Sequence, residues 1–343
     1  EKVKRSFLIV ILVMIVITST NIKAETKLNM ELWNRWTYQQ VDGDVTKNEM
    51  AVKRGYFRLE PQLTSNVKGR FNVDFFSNDG SPDGAGLKLK YAYLDFNNLL
   101  PINDATLTVG LMKTYFGTIY DWSYPTIDKD PSDKYNFVSS TDYGMGVSGY
   151  LPQGYGSYAV AVYNGEGYKK TGGDINTDMN YLANLRVSPI TGLTVGGSYM
   201  FKSKNDSDAS DREEYNMIAG MGKFAFGAAS ITAQYLTKTT SYPNDNSLDD
   251  VSDSVISLMP MYKLNNKFEL VARYDIYDPN TDVDDDGYNT AIGGVNYYLA
   301  RDSKNSPKLM LQANYQLKSY EDDNSDDEST LMVQLRWIFS EEI

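Results

Sequence analysis

The chain has 343 residues and a formal net charge of −12, and it contains neither Cys nor His. The absence of Cys excludes disulfides and thiolate chemistry, and the absence of His excludes imidazole acid–base catalysis and His-ligated metal sites. The acidic balance argues against a nucleic-acid partner, and no motif predicts a cofactor.

A secretory signal is predicted for residues 1–24. Basic residues precede an unbroken apolar run from Phe7 to Ile17, and Ala24 is the expected last residue removed. This run is shorter than the about 20 apolar residues of a membrane helix, so it fits a cleavable signal better than the alternative, an uncleaved anchor helix. We expect residues 25–343 to form one domain, because no linker or change in composition divides them.

The first four predicted strands, 27–39, 49–62, 66–77 and 86–96, show alternating apolar and polar residues. A period of two is typical of β-strands, whose successive side chains point to opposite faces. The apolar face is formed by Leu28, Met30, Leu32, Trp36, Tyr38, Phe57, Leu59, Val67, Phe71, Val73, Phe75, Leu87, Leu89, Tyr91 and Tyr93. The opposite face carries Arg35, Arg54, Arg58, Lys68, Arg70, Lys88 and Lys90, together with Glu31, Glu60 and Asp74. Such a charged face would not fill a dry core.

A long connection after the fifth predicted strand runs from Gly117 to Ser140. Loops of this length that are rich in aromatic residues are usually buried by something. We expect this connection to fold into the lumen of a barrel and to narrow it. The alternative is that it caps the rim or packs on a neighbouring subunit. The residues expected at the constriction are Tyr120, Asp121, Trp122, Asp128, Asp130 and Asp133.

Twelve further segments continue the strand pattern, which makes about sixteen strands in all. They are 105–116, 142–151, 156–164, 178–188, 192–203, 213–224, 228–239, 253–263, 267–277, 287–299, 308–319 and 329–339. Alternation is clear in the last segment, where Leu335 and Trp337 oppose Gln334 and Arg336. Single-chain bacterial barrels have an even number of strands, and barrels of this size leave a water-filled lumen.

Alternation alone would also fit a soluble β-sandwich, so three further observations favour a membrane barrel. Aromatic residues gather near strand ends, as Trp36 and Tyr38 do, where a membrane interface would hold them. Short connections alternate with long polar ones, and the last strand presents an apolar aromatic face. We therefore predict an all-β, transmembrane, antiparallel barrel in the bacterial outer membrane, in contact with its lipids.

The predicted inner face of the first four strands carries more basic than acidic residues, while the long connection carries several Asp residues. Opposite charges across a wet constriction would orient polar solutes, and a net-basic lining would raise the local anion concentration. The alternative interpretation is that these side chains only solvate the inner wall and pair with nearby acids.

The stretch from Asp282 to Gly287 resembles the start of a calcium-binding loop, with Asp282, Asp284 and Asp286 as weak candidate ligands. The Glu that completes an EF-hand loop is missing, because position 293 is Gly. A hydrated acidic loop is therefore the favoured interpretation, and no metal site is predicted with a full ligand set.

The segments GYFRLEPQLTSNVKGRFNVDFF, LKLKYAYLDFNN, ATLTVGLMKTYFG and VYNGEG resemble the bacterial phosphate-selective porin O and P family. The resemblance implies a sixteen-stranded, usually trimeric barrel with its third loop folded inward. It also implies a basic passage, for which Arg54, Arg58, Lys68, Arg70, Lys88 and Lys90 occupy suitable strands. The chain departs from the family in its Asp-rich loops and in the tail Ser340–Ile343 after the last aromatic residue.

We therefore expect a non-enzymatic porin that lets small hydrophilic solutes and ions diffuse passively, with a preference for anions, as a homotrimer. The alternative is a non-conducting surface protein or adhesin that binds a partner through its acidic loops. A barrel-embedded hydrolase is a remote third hypothesis, because without His it would need an unusual nucleophile arrangement, and none can be assembled from this sequence.

Overall fold

A computed structural model describes residues 25–78, 80–170, 178–204, 212–245, 247–303 and 306–343, and the predicted signal in residues 1–24 lies outside this part. Sixteen strands pair antiparallel with their sequence neighbours, and the last strand pairs with the first. The fold prediction is therefore confirmed: the sheet is a closed antiparallel barrel of sixteen strands.

The strands agree with the predicted segments within a few residues, except that β2 begins five residues earlier. Their bounds are β1 Thr26–Val41, β2 Asp44–Thr64, β3 Val67–Ser77, β4 Ala85–Asn97, β5 Thr106–Lys113, β6 Thr141–Tyr150, β7 Gly156–Tyr163, β8 Asn180–Ile190, β9 Leu193–Lys204, β10 Glu213–Phe226, β11 Ala229–Ser241, β12 Val251–Lys263, β13 Phe268–Asp278, β14 Tyr288–Arg301, β15 Pro307–Tyr320 and β16 Glu328–Glu342. One short helix, α1 (Pro131–Lys134), and three 3-10 turns (Ile119–Asp121, Pro152–Gly154 and Tyr168–Lys170) complete the described elements. In the described part of the chain, no helix is long and apolar enough to cross a bilayer.

The two faces of each strand differ as the alternation predicts. On β8, the outward side chains of Tyr181 and Leu185 are 55% and 51% exposed, whereas inward Asn184 and Arg186 are 5% and 8% exposed. Large apolar side chains are exposed on the outside around the ring, including Phe71, Phe75, Val109, Met145, Val160, Ile218, Tyr235, Ile256, Tyr274, Leu311 and Leu331. A soluble protein has apolar side chains inside and polar ones outside, and this barrel has the reverse. The arrangement matches a barrel whose outer surface meets hydrocarbon.

A β-bulge between β3 and β4 changes the predicted facing of two tyrosines. Asn72 pairs with Tyr91 and Val73 pairs with Leu89, so Lys90 is an extra residue in β4. Beyond the bulge, Tyr91 and Tyr93 turn to the inner face, where both contact Arg70. The predicted outward placement of these tyrosines is therefore wrong, because one added residue inverts a pattern of period two.

The barrel has two unlike ends. Connections at one end, such as the one from β2 to β3, span only a few residues, and we call this the short-turn end. The other, the loop end, carries most of the longer connections, and residues 114–140 between β5 and β6 form the central loop there. The tail after Phe339 continues β16, since Glu342 pairs with Lys27 on β1, so it belongs to the barrel closure.

Candidate functional site

Arg58 on β2 and Arg70 on β3 lie on the inner face of neighbouring strands. Arg58 Nε donates to Asn72 Oδ1 at 3.2 Å, and Arg70 Nε lies 3.9 Å from Glu60 Oε1. Lys113 at the end of β5 is close enough to interact electrostatically with Arg70, although sequence reasoning did not select it. Its alternating position in β5 was the available signal. All three cations are half-buried, so each keeps some surface toward the lumen.

The side chain of Arg54 is enclosed by aromatic rings and does not extend freely into the lumen. Its guanidinium carbon lies 4.1 Å from the ring centre of Trp33, 4.7 Å from that of Tyr56 and 4.4 Å from that of Tyr124. Arg54 Nη2 also donates to the Tyr124 hydroxyl at 2.8 Å. Because Tyr124 belongs to the central loop, Arg54 links β2 to that loop.

Arg35 and Lys68 lie at two other places on the same wall. Arg35 Nε donates to Gln334 Oε1 on β16 at 3.0 Å, which joins the first and last strands through side chains as well as backbone. Lys68 is half-buried near the short-turn end of β3, and its charge acts on the carboxyl of Asp95.

Lys88 and Lys90 lie toward the loop end of β4. Lys88 Nζ lies 3.9 Å from the ring centre of Phe76, and its side chain is half-buried. Lys90 is only 5% exposed, donates to Ser140 Oγ and lies 3.7 Å from the ring centre of Tyr168. Lys90 therefore contacts the end of the central loop and the next long connection.

An apolar cluster attaches the central loop to one side of the lumen. Phe116, Ile119 and Phe137 from the loop are at most 8% exposed. They join a cluster with inward side chains of β8 to β12, namely Leu182, Met200, Met217, Ala219, Leu236 and Val255. Apolar residues inside this barrel thus provide a dry contact for the loop.

The tip of the central loop crosses to the opposite side of the ring. The carbonyl oxygens of residues 123–125 accept hydrogen bonds from Arg336 at 3.0 Å, Gln312 at 3.1 Å and Asn296 at 3.0 Å, in that order. These donors lie on β16, β15 and β14, while Arg54 holds the tip from β2. A loop that bonds strands on facing sides of a closed ring lies within that ring.

Tyr120 and Asp121 form the part of the loop that faces β8. Arg186 donates to Asp121 at 2.7 Å and to the carbonyl of Gly117 at 2.6 Å, and it stacks 4.3 Å from the ring centre of Tyr120. The Tyr120 hydroxyl donates to Asn184 Oδ1 at 3.4 Å. Burial raises the pKa of Tyr120, so it stays a neutral donor. Asp121 keeps 52% of its side chain exposed even though it is paired.

The negative charge of Asp128 is balanced by a neighbouring lysine within the lumen. Lys134 Nζ lies 2.8 Å from its Oδ2, and the Asp128 carbonyl accepts a hydrogen bond from Trp122 Nε1 at 3.2 Å. Burial acts to raise the pKa of Asp128, but the charges of Lys134 and Arg273 outweigh it and hold that pKa below its usual range. The carboxylate is therefore charged and paired at neutral pH.

Asp130 and Asp133 belong to the start of α1. Asp130 is 1% exposed, and its side chain accepts from the Ser132 backbone N–H at 2.8 Å, which caps the helix. Burial raises the pKa of Asp130, although hydrogen bonds from Thr118 and Ser132 oppose this. Asp133 Oδ1 lies 3.4 Å from Lys129 Nζ. Most acidic groups of the loop are thus engaged in holding its shape.

The weak calcium candidates Asp282, Asp284 and Asp286 lie in the connection between β13 and β14. Among the described residues, no group of three or more acidic, His or Cys side chains is arranged to hold a metal ion. The backbone N–H of Asp282 instead donates to Asn280 Oδ1 at 3.3 Å, in a local turn.

A second basic region lies beneath the loop tip at the short-turn end, and sequence reasoning did not select it as a group. Lys223, Lys263, Arg301 and Arg336 line one cavity of about 450 Å³ there, together with a single acid, Glu269. Glu269 already accepts hydrogen bonds from Asn296 and Tyr298. These cations come from β10, β12, β14 and β16, so only closure of the ring brings them together.

No protein-family model matches the sequence, and no curated protein is significantly similar to it. Solved structures with the same fold include the anion-selective porin from Comamonas acidovorans, with a TM-score of 0.66, 13% identity, and coverage of 92% of this chain and 100% of that one. They also include outer-membrane expressed OmpT of Vibrio cholerae, with a TM-score of 0.65, 13% identity, and coverage of 94% of this chain and 99% of that one. A third is Salmonella typhi OmpF in complex with daunomycin, with a TM-score of 0.64, 13% identity, and coverage of 94% of this chain and 99% of that one. The chain therefore shares its fold with an anion-selective porin and with other outer-membrane proteins.

Proposed function

We propose that this protein is a non-enzymatic outer-membrane porin, through which small hydrophilic solutes and ions diffuse passively. The observation that carries the proposal is a closed ring of sixteen strands with apolar residues outside and charged residues inside. An inner surface with this much charge is stable only when water reaches it, and a barrel of this size has room for water.

The preference proposed for the passage is for anions. Arg58, Arg70 and Lys113 keep surface toward the lumen, whereas Asp128 and Asp130 are held by partners within the central loop. A basic wall opposite neutralised acids gives a positive potential in the lumen, which concentrates anions there.

We further propose that the protein lies in the outer membrane as a homotrimer and contacts its lipids through the apolar outer face. One solved structure with the same fold, OmpT of Vibrio cholerae, is described as a trimer form. The similarity to the phosphate-selective porin O and P family, and the cleavable signal in residues 1–24, are parts of the same proposal.

The test is electrical recording of the purified, folded protein in a planar bilayer. We expect stepwise conductance and a reversal potential that indicates anion preference under a KCl gradient. Changing Arg58 and Arg70 together to Ser should shift the reversal potential toward cations, because it removes two lumen charges. The matched control is Lys53→Ser. Lys53 Nζ already lies 2.6 Å from Glu49 Oε1, and Lys53 lies away from Arg58 and Arg70. A folded barrel that stays silent would contradict the proposed function.

A second candidate function is a non-conducting surface protein that binds a partner through its acidic loops. The observation that favours it is the central loop, which bonds strands on facing sides of the ring and fills part of the lumen. Liposome swelling in solutes of increasing size separates the two candidates, because a plugged barrel admits none of them.

A further inference from the structure

A cavity of about 240 Å³ lies beneath the central loop at the short-turn end of the lumen. We call it the methionine chamber and define it by six of its lining residues: Trp122, Arg186, Met221, Lys223, Met259 and Met261. It adjoins the cavity of about 450 Å³ that holds the second basic region, with which it shares Lys223 and Met261.

The apolar wall of the methionine chamber is unusual for the inside of this barrel. Met221 lies on β10, and Met259 and Met261 lie on β12, all on inward positions. Nearer the loop end, the apolar residues of these strands are covered by Phe116, Ile119 and Phe137 of the central loop. The three methionines lie below that contact, and Met221 and Met261 remain half-buried. Thioether side chains are flexible and polarisable, which suits contact with varied apolar groups.

A cation without a partner lies beside this apolar wall. Lys223 is exposed, and among the described residues it forms no ion pair or hydrogen bond. The acid in the methionine chamber, Asp121, is already bound to Arg186, and the acid in the adjoining cavity, Glu269, accepts two hydrogen bonds. The ammonium group of Lys223 is thus available to an anion that enters from solution.

The roof of both cavities is held in place before any ligand arrives. Residues 123–125 of the loop tip are bonded through their carbonyl oxygens to Arg336, Gln312 and Asn296. The indole of Trp122 is held by its hydrogen bond to the Asp128 carbonyl. A preformed site loses little conformational entropy on binding, so even a small ligand can gain useful affinity there.

We propose that the methionine chamber binds small organic carboxylates that carry an apolar body next to the charge, and that it is a subsite on the route of such solutes through the barrel. The carboxylate would pair with Lys223 while the apolar body contacts Trp122 and the methionines. A volume of about 240 Å³ suits one aromatic ring or a short aliphatic chain. The inference rests on the proposed porin function for its role in transport, but the binding itself does not depend on conduction.

The experiment is isothermal titration calorimetry on the full chain folded in detergent, with benzoate, acetate and benzyl alcohol as probes. Acetate carries the charge without the apolar body, and benzyl alcohol carries the body without the charge. We expect benzoate to bind about tenfold more tightly than either, as expected when both contacts are needed. Titration of each probe into protein-free micelles corrects for partitioning into detergent.

Two variants test the assignment. Lys223→Gln, which changes an exposed side chain, should weaken benzoate binding about tenfold and leave acetate nearly as weak as before. Met259→Ser together with Met261→Ser should weaken benzoate but not acetate. Lys68→Gln is the matched control, because Lys68 is also an inward lysine on a different strand outside the chamber. Resistance of the folded form to SDS before boiling shows that each variant has folded.

Equal affinities for benzoate and benzyl alcohol, or a Lys223→Gln protein that binds benzoate as the wild type does, would overturn the assignment. If benzoate binds as described but the barrel conducts no ions, then the proposed porin function fails and the chamber stands. If the barrel conducts and benzoate does not bind, then the chamber fails and the proposed porin function stands.

Discussion

The guanidinium of Arg54 and the three aromatic rings around it show how a lumen cation can serve structure. A cation over an aromatic face contributes about 0.5–2 kcal/mol, depending on how far water is excluded. Arg54 makes three such contacts and one hydrogen bond to Tyr124, so it holds the loop tip against β2. By contrast, the side chains of Arg58 and Arg70 are only half-buried and remain partly exposed to the lumen. Arginines that look equivalent on one predicted face therefore have different expected effects when they are replaced.

Replacing Arg54 by Gln should loosen the loop tip more than it changes ion selectivity. We expect single-channel currents with more frequent closures and a reversal potential within a few millivolts of that of the wild type. Tyr124→Phe, which removes only the hydroxyl, should show a weaker form of the same noise. A large shift of reversal potential with quiet currents would instead mean that Arg54 acts as a selectivity residue.

At the scale of elements, the central loop is held by two unlike surfaces. Its base packs on the apolar inward residues of β8 to β12, and its tip is bonded to polar side chains of β14 to β16. The apolar contact excludes water, whereas the polar contacts satisfy carbonyl groups that no strand partner reaches. The barrel wall is therefore divided into a dry sector under the loop and a wet, basic sector opposite.

Phe116→Ala should release the base of the loop without opening the barrel. Phe116 is fully buried, and removing such a ring from a packed cluster costs about 3–5 kcal/mol. We expect trypsin to cut the folded variant faster at Lys129, which is exposed in the loop, while the strands stay protected. Phe71→Ala on the outer face is the control, and equal cleavage of the two variants would contradict this role for Phe116.

At the scale of the whole molecule, charge is distributed unevenly. The net charge is −12, yet the lumen carries cations on both sides of the central loop, in the β2–β5 sector and beneath the loop tip. Many acidic residues lie instead in the connections at the loop end, such as Asp322 and Asp327. The interior potential is therefore set by local groups and not by the overall balance.

The proposed anion preference should accordingly weaken as salt concentration rises. The Debye length falls from about 10 Å at 0.1 M to about 3 Å at 1 M, so wall charges act on fewer ions in the passage. We expect the anion-to-cation permeability ratio to approach the ratio of free-solution mobilities in 1 M KCl. A ratio that is unchanged between these two concentrations would point to a size-based filter instead.

The sequence determined most of the architecture by itself. The period-two alternation located all sixteen strands, because successive side chains of a strand point to opposite sides of the barrel wall and the outer side is apolar. The same alternation located Arg58 and Arg70 on the inner face, since neither is separated from its strand pattern by an irregularity. The aromatic content of residues 117–140 also marked the loop that lies within the ring.

Only the tertiary structure decided which inward residues share a site. The bulge at Lys90 reverses the facing of Tyr91 and Tyr93, and a single extra residue leaves no reliable mark in an alternating pattern. The enclosure of Arg54 brings Tyr124 of the central loop to β1 and β2, and the methionine chamber brings Trp122 of that loop to β10 and β12. The curved sheet likewise brings Lys223 on β10 to the same cavity as Arg301 on β14 and Arg336 on β16. Such neighbours are set by ring closure and by the path of the loop across the lumen, which are long-range contacts that local periodicity does not encode.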